Sequence, residues 1–476
     1  METPADSPFT WENIDWTKVQ EHVNKLQFRI AKAVVKGNIY KAKRLQYLLT
    51  NSSYAKLLAI KKVTSNKGKN TPGIDGILYR TPKQKLNAAL SLSHLKYRSL
   101  PLKRTYIEKK GKKAKRPLGI PTMHDRAMQA LFALALEPIA ETTADTMSFG
   151  FRKYRSAHDA REHAFNCLAH KDRAQWILEG DIKGCFDHIS HQWLMDNIPL
   201  NKKTLKEFLK AGYIYRKKLF PVKAGTPQGG IISPILANMT LDGLEKVIKE
   251  QYWSCAKGTI HNRYNRNKVN FIRYADDFIV TAKSKEVALD VKNIIEKFLI
   301  ERGLTLSEEK TAITHIADGF NFLGWNFRKY HGKLLVKPSK ESFKNISQKI
   351  RTTVKQFRGM PQKDLIRTLN PIIRGWCNYH KVTVAKEAFK ALDTVLFEAL
   401  WRWGRFRHQN KNAMWIKNRY WKRIENRDWR FCSEDNVLIV AGYTKIIRHI
   451  MIKLDKNPFV REDSDYFYYR KRKESF

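Results

Sequence analysis

The stretch Phe271-Ile272-Arg273-Tyr274-Ala275-Asp276-Asp277-Phe278-Ile279-Val280 decides how the rest of the chain is read. β-branched and aromatic residues on both sides of an acidic pair predict two short strands joined by a tight turn. Two adjacent carboxylates at the end of an apolar sheet repel each other and resist losing water, so stability alone does not select them. A cation over the pair relieves both costs, and a divalent metal is the simplest one. A solvated Asp-Asp turn would leave the same trace, so the surroundings must decide.

Upstream, Trp176-Ile177-Leu178-Glu179-Gly180-Asp181-Ile182 reads as a buried strand that ends on a carboxylate. Gly225-Thr226-Pro227-Gln228-Gly229-Gly230 is a glycine-punctuated loop opening a helix over about 235–250. Downstream come an amphipathic helix over 285–302, Lys310, and Phe320 to Trp325 as one apolar strand. Residues 102–121 predict a β-hairpin whose tip is Lys109-Lys110-Gly111-Lys112-Lys113. Those lysines suit either edge-strand protection or a triphosphate clamp, with Arg116 supplying a bidentate fork. In Ser148 to Ser156 aromatics alternate with Arg152, Lys153 and Arg155, a pattern for stacking on bases while holding phosphates, or for a buried aromatic cluster.

Composition bounds the partner. The 476 residues carry 90 Lys+Arg against 45 Asp+Glu, a formal charge of +45. Such a chain repels itself unless a polyanion compensates, and nucleic acid comes first. No apolar run approaches a bilayer span, so no membrane role is expected. The opening Met1-Glu2-Thr3-Pro4-Ala5-Asp6 lacks a signal design. Cys167, Cys185, Cys255, Cys377 and Cys432 are scattered without any C-x-x-C pair, which predicts reduced thiols in a cytosolic protein.

The N-terminus reads as basic helices. Val19, Val23, Leu26, Ile30 and Val34 mark the first, and 40–62 a second that carries Lys41, Lys43, Arg44, Lys56, Lys61 and Lys62. The glycine-rich loop Lys67 to Gly76, including Gly73, suits a backbone that approaches phosphates. Beyond 338, the stripes Phe343-Ile346-Ile350-Val354 and Phe389-Leu392-Leu396-Leu400 flank a helix with Pro371 inside, expected to kink or divide it. Three such helices predict a small bundle. Residues 401–476 hold 19 Lys+Arg, 9 Asp+Glu and five of the twelve tryptophans, which fits a nucleic-acid surface or a tryptophan-rich core.

Taken together, Asp181, Pro227-Gln228-Gly229-Gly230, Tyr274-Ala275-Asp276-Asp277, Lys310 and Phe322-Leu323-Gly324-Trp325 follow the order of the reverse-transcriptase blocks. With Arg116 to Pro121 and Leu369 to Tyr379 included, the chain resembles group II intron-encoded reverse transcriptases with maturase activity, nearly end to end. The resemblance implies an α+β right-hand polymerase. N-terminal basic helices fill 1–75, fingers and palm 76–335, a helical thumb or maturase bundle 336–408, and a basic DNA-binding segment 409–476.

It also implies roles. Asp181, Asp276 and Asp277, with the backbone of Ile182, would hold two Mg2+ ions about 3.5–4 Å apart. Lys115, Arg116, Phe186, Gln228 and Lys310 would bind the incoming dNTP, with the Phe186 ring excluding a ribose 2′-hydroxyl. Gly73, Arg152, Arg155, Tyr274, Leu323, Gly324 and Trp325 would meet primer and template. Arg374, Trp376, Asn378 and Tyr379 would meet intron RNA. The expected partners are the intron RNA, target DNA, its primer and dNTPs, in a bacterial cytosol or an organelle of bacterial origin, and on the nucleoid when DNA is bound. Phe149 and Lys153 depart from the Tyr and Pro of the family pattern. Relatives often continue into a nuclease with paired histidines and cysteines. His449 and Cys432 make no such site, so the primer would come from elsewhere. A maturase with a vestigial polymerase site, or a free-standing reverse transcriptase in defence or repair, are the alternatives left open.

Overall fold

The computed structural model describes residues 10–108, 115–216, 218–227 and 229–474. Asp15 caps helix α1 (Trp16–Val35) by accepting from the amides of Thr17 and Lys18, and Val19, Val23, Leu26, Ile30 and Val34 face inward. The expected single helix over 40–62 is two, α2 (Ile39–Asn51) and α3 (Ser53–Ser65). Between them Ser52 is extended, φ −66° and ψ 129°. Asn51-Ser52-Ser53 compete poorly for helix interior, and the break lets Leu45 and Leu49 as well as Leu57 and Ile60 reach one core.

Then follow α4 (Pro82–Ser91), β1 (Leu102–Glu108), β2 (Lys115–Ile120) and α5 (Met123–Thr143), which is buried on most of its sides. The first three helices pack on α5 and share its core with the central sheet. The middle of the chain comprises α6 (Ala157–Leu168), β3 (Trp176–Asp181), α7 (Cys185–His188), α8 (His191–Asn197), α9 (Lys202–Lys210), β4 (Tyr213–Tyr215), β5 (Lys218–Phe220), α10 (Ser233–Leu241) and α11 (Leu244–Tyr252). The helix expected over 235–250 thus breaks at Asp242-Gly243, where Gly243 takes φ +97°. Next come β6 (Asn270–Tyr274), β7 (Asp277–Ala282), α12 (Lys285–Ile300), β8 (Ala312–His315), β9 (Phe320–Phe322), β10 (Trp325–Tyr330) and β11 (Lys333–Pro338).

The central sheet runs β6-β7-β3-β8, antiparallel throughout. A second sheet, β2-β1-β4-β5, contains the 102–121 hairpin, and a third runs β11-β10-β9. Phe320 to Trp325 is therefore a hairpin, not one strand. Leu323 (φ +50°) and Gly324 (φ +82°) turn the chain so that Trp325 pairs with Phe322.

The bundle is α13 (Lys340–Gln356), α14 (Gln362–His380) and α15 (Lys386–Arg407). Pro371 lies within α14 without dividing it. Its ring faces solvent, and Leu365, Ile366, Leu369, Ile373 and Cys377 bury both halves on one core, which outweighs the lost backbone bond. After α16 (Ala413–Tyr420), β12 (Trp421–Ile424) and β13 (Arg427–Phe431), the chain leaves the bundle and returns to the central domain. Buried Asp159 of α6 accepts from His449, Arg470 and the Ile452 amide at 2.8–2.9 Å, anchoring the stretch that ends in α17 (Ser464–Glu474). Among the described residues all five cysteines are free, and no helix is long and apolar enough to cross a membrane.

Candidate active site

β3 and β7 are paired so that Asp181 stands directly across from Asp277, and Tyr274 across from Asp277 closes the β6–β7 turn. Cross-strand partners share a face, with Cα atoms about 4.5–5.5 Å apart. The two carboxyls hydrogen-bond to each other, and the Asp276 charge acts on Asp277 and on Lys310. Although Asp277 is exposed at its outer side, crowding by the surrounding protein pushes its carboxyl up to about 7. The bond from Asp181 and the charges of Asp276 and Asp181 push the same way. Lys310 donates to Asp181 Oδ2 at 2.5 Å. Partial burial works against its charge, but that bond and the three carboxylates outweigh it and raise its proton affinity.

An all-oxygen set of this kind suits a hard divalent cation. Among the described residues no three His, Cys, Asp or Glu side chains are grouped so as to hold a metal ion by themselves. Mg2+ does not ask for one, since it is commonly held by one or two carboxylates plus substrate phosphates.

The turn is held from behind. Ala275 has φ +58°, unfavourable for a residue with a Cβ, so its surroundings must impose it. Gly150 packs so close that a Cβ there would lie 2.3 Å from the Ala275 nitrogen. Arg273, fully buried in β6, pairs with Asp242 at 2.6 Å and donates to Asn238 Oδ1 and the Ala275 carbonyl. Asn238 in turn donates to the Gly150 carbonyl at 2.8 Å. Sequence reasoning assigned Arg273 no role, although a cation inside a run of apolar strand residues was the available signal.

Around this edge stand other expected residues. Phe186 sits on α7, just past Asp181, half-buried and edge-on to the exposed ring of Phe151 with centroids 6.3 Å apart. The Thr226 amide donates to the Phe186 carbonyl at 2.7 Å, so the glycine loop is tied to the helix that carries the ring. Gly229 approaches Gly119 of β2, which joins that loop to the second sheet. Ile182 is buried beside Asp181. Lys115 is exposed on β2. Gln228, the Lys109-to-Lys113 tip and the side chain of Arg116 lie outside the described residues.

Several expectations need correcting. Arg152 and Arg155 do not face a primer or template. Both guanidinium groups are buried on Glu141, at 2.7 and 3.4 Å, and Arg152 also donates to the carbonyls of Asp145 and Ser148. Left-handed backbone at Phe151 and Tyr154 turns the cations inward and leaves those two rings exposed. Gly73 approaches backbone, but the protein's own, because a Cβ there would lie 2.5 Å from Thr122 Cα. Arg126 fastens that loop by donating to the Gly68 and Thr71 carbonyls.

Trp325 is fully buried and stacks on Tyr379 at 4.5 Å and 7°, so neither ring is offered to a strand. Tyr379 donates to the Leu323 carbonyl, and Trp376 to Ser342 Oγ. These aromatics tie α14 to the Leu323-Gly324 turn and to α13. Leu323 and Gly324 themselves remain partly exposed, as do Arg374 and Asn378 on the outer face of α14.

Comparison with known proteins gives the family. Residues 107–327 match the model of reverse transcriptase (RNA-dependent DNA polymerase), 11–92 that of the N-terminal domain of reverse transcriptase, and 343–421 the group II intron maturase-specific domain. The group II intron-encoded protein LtrA of Lactococcus lactis is 32% identical over 421 residues, covering 70% of this chain and 69% of that one. The chain belongs to the group II intron-encoded reverse transcriptases with a maturase domain. It is an RNA-directed DNA polymerase with a polymerase-like fold of helices and antiparallel sheets, it depends on metal, and it binds intron RNA. Protein YkfC of Escherichia coli is 30% identical over 339 residues, 63% of this chain and 87% of that one. A telomerase structure from Candida albicans matches at TM-score 0.38 and 12% identity, over 68% of this chain and 65% of the other.

Proposed function

We propose that Asp181, Asp276 and Asp277, with the Ile182 carbonyl, hold two Mg2+ ions and that this edge extends a DNA primer along the intron RNA. The observation that carries the proposal is the Asp181–Asp277 register pair, two carboxyls in contact beside a third. When bound, the ions lower the pKa of the primer 3′-hydroxyl and neutralise the leaving pyrophosphate. The hydroxyl proton passes to solvent, and the oxygen attacks the α-phosphorus as the bond to pyrophosphate breaks.

Lys310 stays protonated and moves from Asp181 to the triphosphate. Lys115 and Arg116 hold the same phosphates, and Gln228 supports the nucleotide. Phe186 lies against the sugar and rejects a 2′-hydroxyl. Tyr274 and the Leu323-Gly324 turn line the primer path, while Arg374 and Asn378 contact intron RNA. The substrates are dNTPs, and the primer is a strand of the target DNA, which places the protein in the cytosol and on the nucleoid.

Asp276→Ala is expected to abolish Mg2+-dependent extension of a DNA primer on RNA while intron RNA binding persists. Full activity in that variant would overturn the assignment. Phe186→Ala is expected to cost roughly 10–200-fold in selection against ribonucleotides, the scale of one pocket contact. Unchanged selection would place the sugar elsewhere. RNA affinity is expected to fall steeply with salt, and a flat response would contradict phosphate contact as its source.

A further inference from the structure

Between α15 and the β12–β13 hairpin lies a cavity of about 510 Å3. That is within the roughly 300–1,000 Å3 common for small-ligand pockets. Buried Trp421 forms its floor, and Phe397, Trp429 and Tyr443 rise around it, with Trp429 47% and Tyr443 59% exposed. The Phe397 and Trp429 rings meet edge to face at 5.9 Å and 76°. This concave aromatic wall remains open among the described residues, whereas a hydrophobic core would have closed over it.

The rim is cationic. Lys390, Arg427 and Arg430 line it, and the buried Nε of Arg430 makes no hydrogen bond. The acid that faces the cavity, Asp393, accepts from the amides of Ala441 and Gly442 at 2.8 and 2.9 Å, so its charge is held by backbone. A cationic side chain of a peptide would meet repulsion at this rim. An uncharged π-face carried on an anionic backbone meets attraction on both counts.

We propose that this pocket takes one unstacked base of a single nucleic-acid strand, with Trp429 and Tyr443 as stacking platforms and Lys390, Arg427 and Arg430 on the flanking phosphates. A base inside a duplex cannot enter a concave site, whereas a splayed base can. The inference rests on nucleic-acid binding by the family and not on the catalytic proposal. None of the pocket residues belongs to the acidic edge.

The test uses the full chain with short single-stranded RNA and DNA oligonucleotides that carry 2-aminopurine, beside a matched RNA duplex. Trp429→Ala and, independently, Tyr443→Ala should weaken single-strand binding by about 5- to 150-fold, the scale of one base–aromatic stack. The Trp429→Ala change should also remove part of the fluorescence quench, while duplex binding, salt slope and primer extension hold. Trp429→Phe should recover most of the affinity. Arg427→Ala with Arg430→Ala should instead lower the salt slope, by about one for each cation.

Loss on RNA alone assigns the pocket to RNA, and loss on both assigns it to any single strand. Unchanged affinity and quench in both aromatic variants would overturn the proposal, and so would equal loss on the duplex.

Discussion

Strand β6 separates two charged clusters built on opposite principles. Behind it, Glu141, Asp145, Asp242 and Glu245 meet Arg152, Arg155, Lys249, Arg273 and backbone amides, each acid facing a donor in a nearly dry interior. In front, Asp181 and Asp277 touch each other, Asp276 adds its charge, and Lys310 bonds to Asp181 from solvent. The inner cluster spends its charge on the fold. The outer one keeps like charges together, an arrangement that costs stability and suits a ligand that brings positive charge.

Substitution in the front cluster should cost activity first, and substitution in the rear cluster should cost stability first. The largest effect is expected for Asp181→Ala, with primer extension falling by more than about 100-fold, beyond the range of groups one layer removed from a metal. A loss confined to stability in urea would instead put the front cluster with the rear one.

Arg273→Met strands Asp242 and unfastens the acidic turn. We expect about 3–5 kcal/mol lost in denaturant unfolding, with kcat falling and the Mg2+ requirement rising. Arg273→Lys should restore part of both. Wild-type unfolding in the Met variant would break the distinction from the other side.

A smaller effect follows from pH. The folded-state pKa of Asp277, about 7, lies above its unfolded value of about 3.9, so the folded protein holds the extra proton between these limits. The Asp277 contribution to metal-free stability is therefore fully present below about pH 4 and is lost as pH rises through about 7. Buried Asp242 is pushed up to about 7 by burial and contributes with the same sign. Comparison with Asp277→Asn isolates the Asp277 part. In that variant the melting temperature should fall less between pH 5 and 8, and Mg2+ should flatten the wild-type curve. A slope unchanged by both would contradict the like-charge contact.

The smallest contrast pairs two arginines. Exposed Arg374→Ala should leave stability within about 0.5 kcal/mol and lower the salt slope of intron RNA binding by about one. Buried Arg152→Ala should destabilise the fold and leave that slope alone. The reverse outcome would return Arg152 to the RNA surface.

What could be read from the chain was order and period. The blocks around Asp181 and Asp276, the strands flanking the acidic turn and the apolar stripes of the bundle all announce themselves locally. What could not be read was direction. In Ser148 to Ser156, alternation of rings and cations suggested a surface. Left-handed residues at Phe151 and Tyr154 reverse the chain, and the guanidinium groups turn inward to Glu141, an acid outside that block. The same cause misplaced Trp325, because Leu323 and Gly324 fold an apparent strand into a hairpin. Tyr379 and Trp376 looked like an RNA surface until the partners of their rings and polar tips, far off in sequence, were visible.

On the proposed reading the front carboxylates hold divalent metal at a growing DNA end. Calorimetric titration of Mg2+ into the full chain, bound to an RNA template and a DNA primer lacking its 3′-hydroxyl together with a dNTP, tests it most directly. We expect saturable binding that Asp181→Asn and Asp276→Asn each remove and that Arg374→Ala leaves intact. Wild-type Mg2+ binding in both aspartate variants would contradict it.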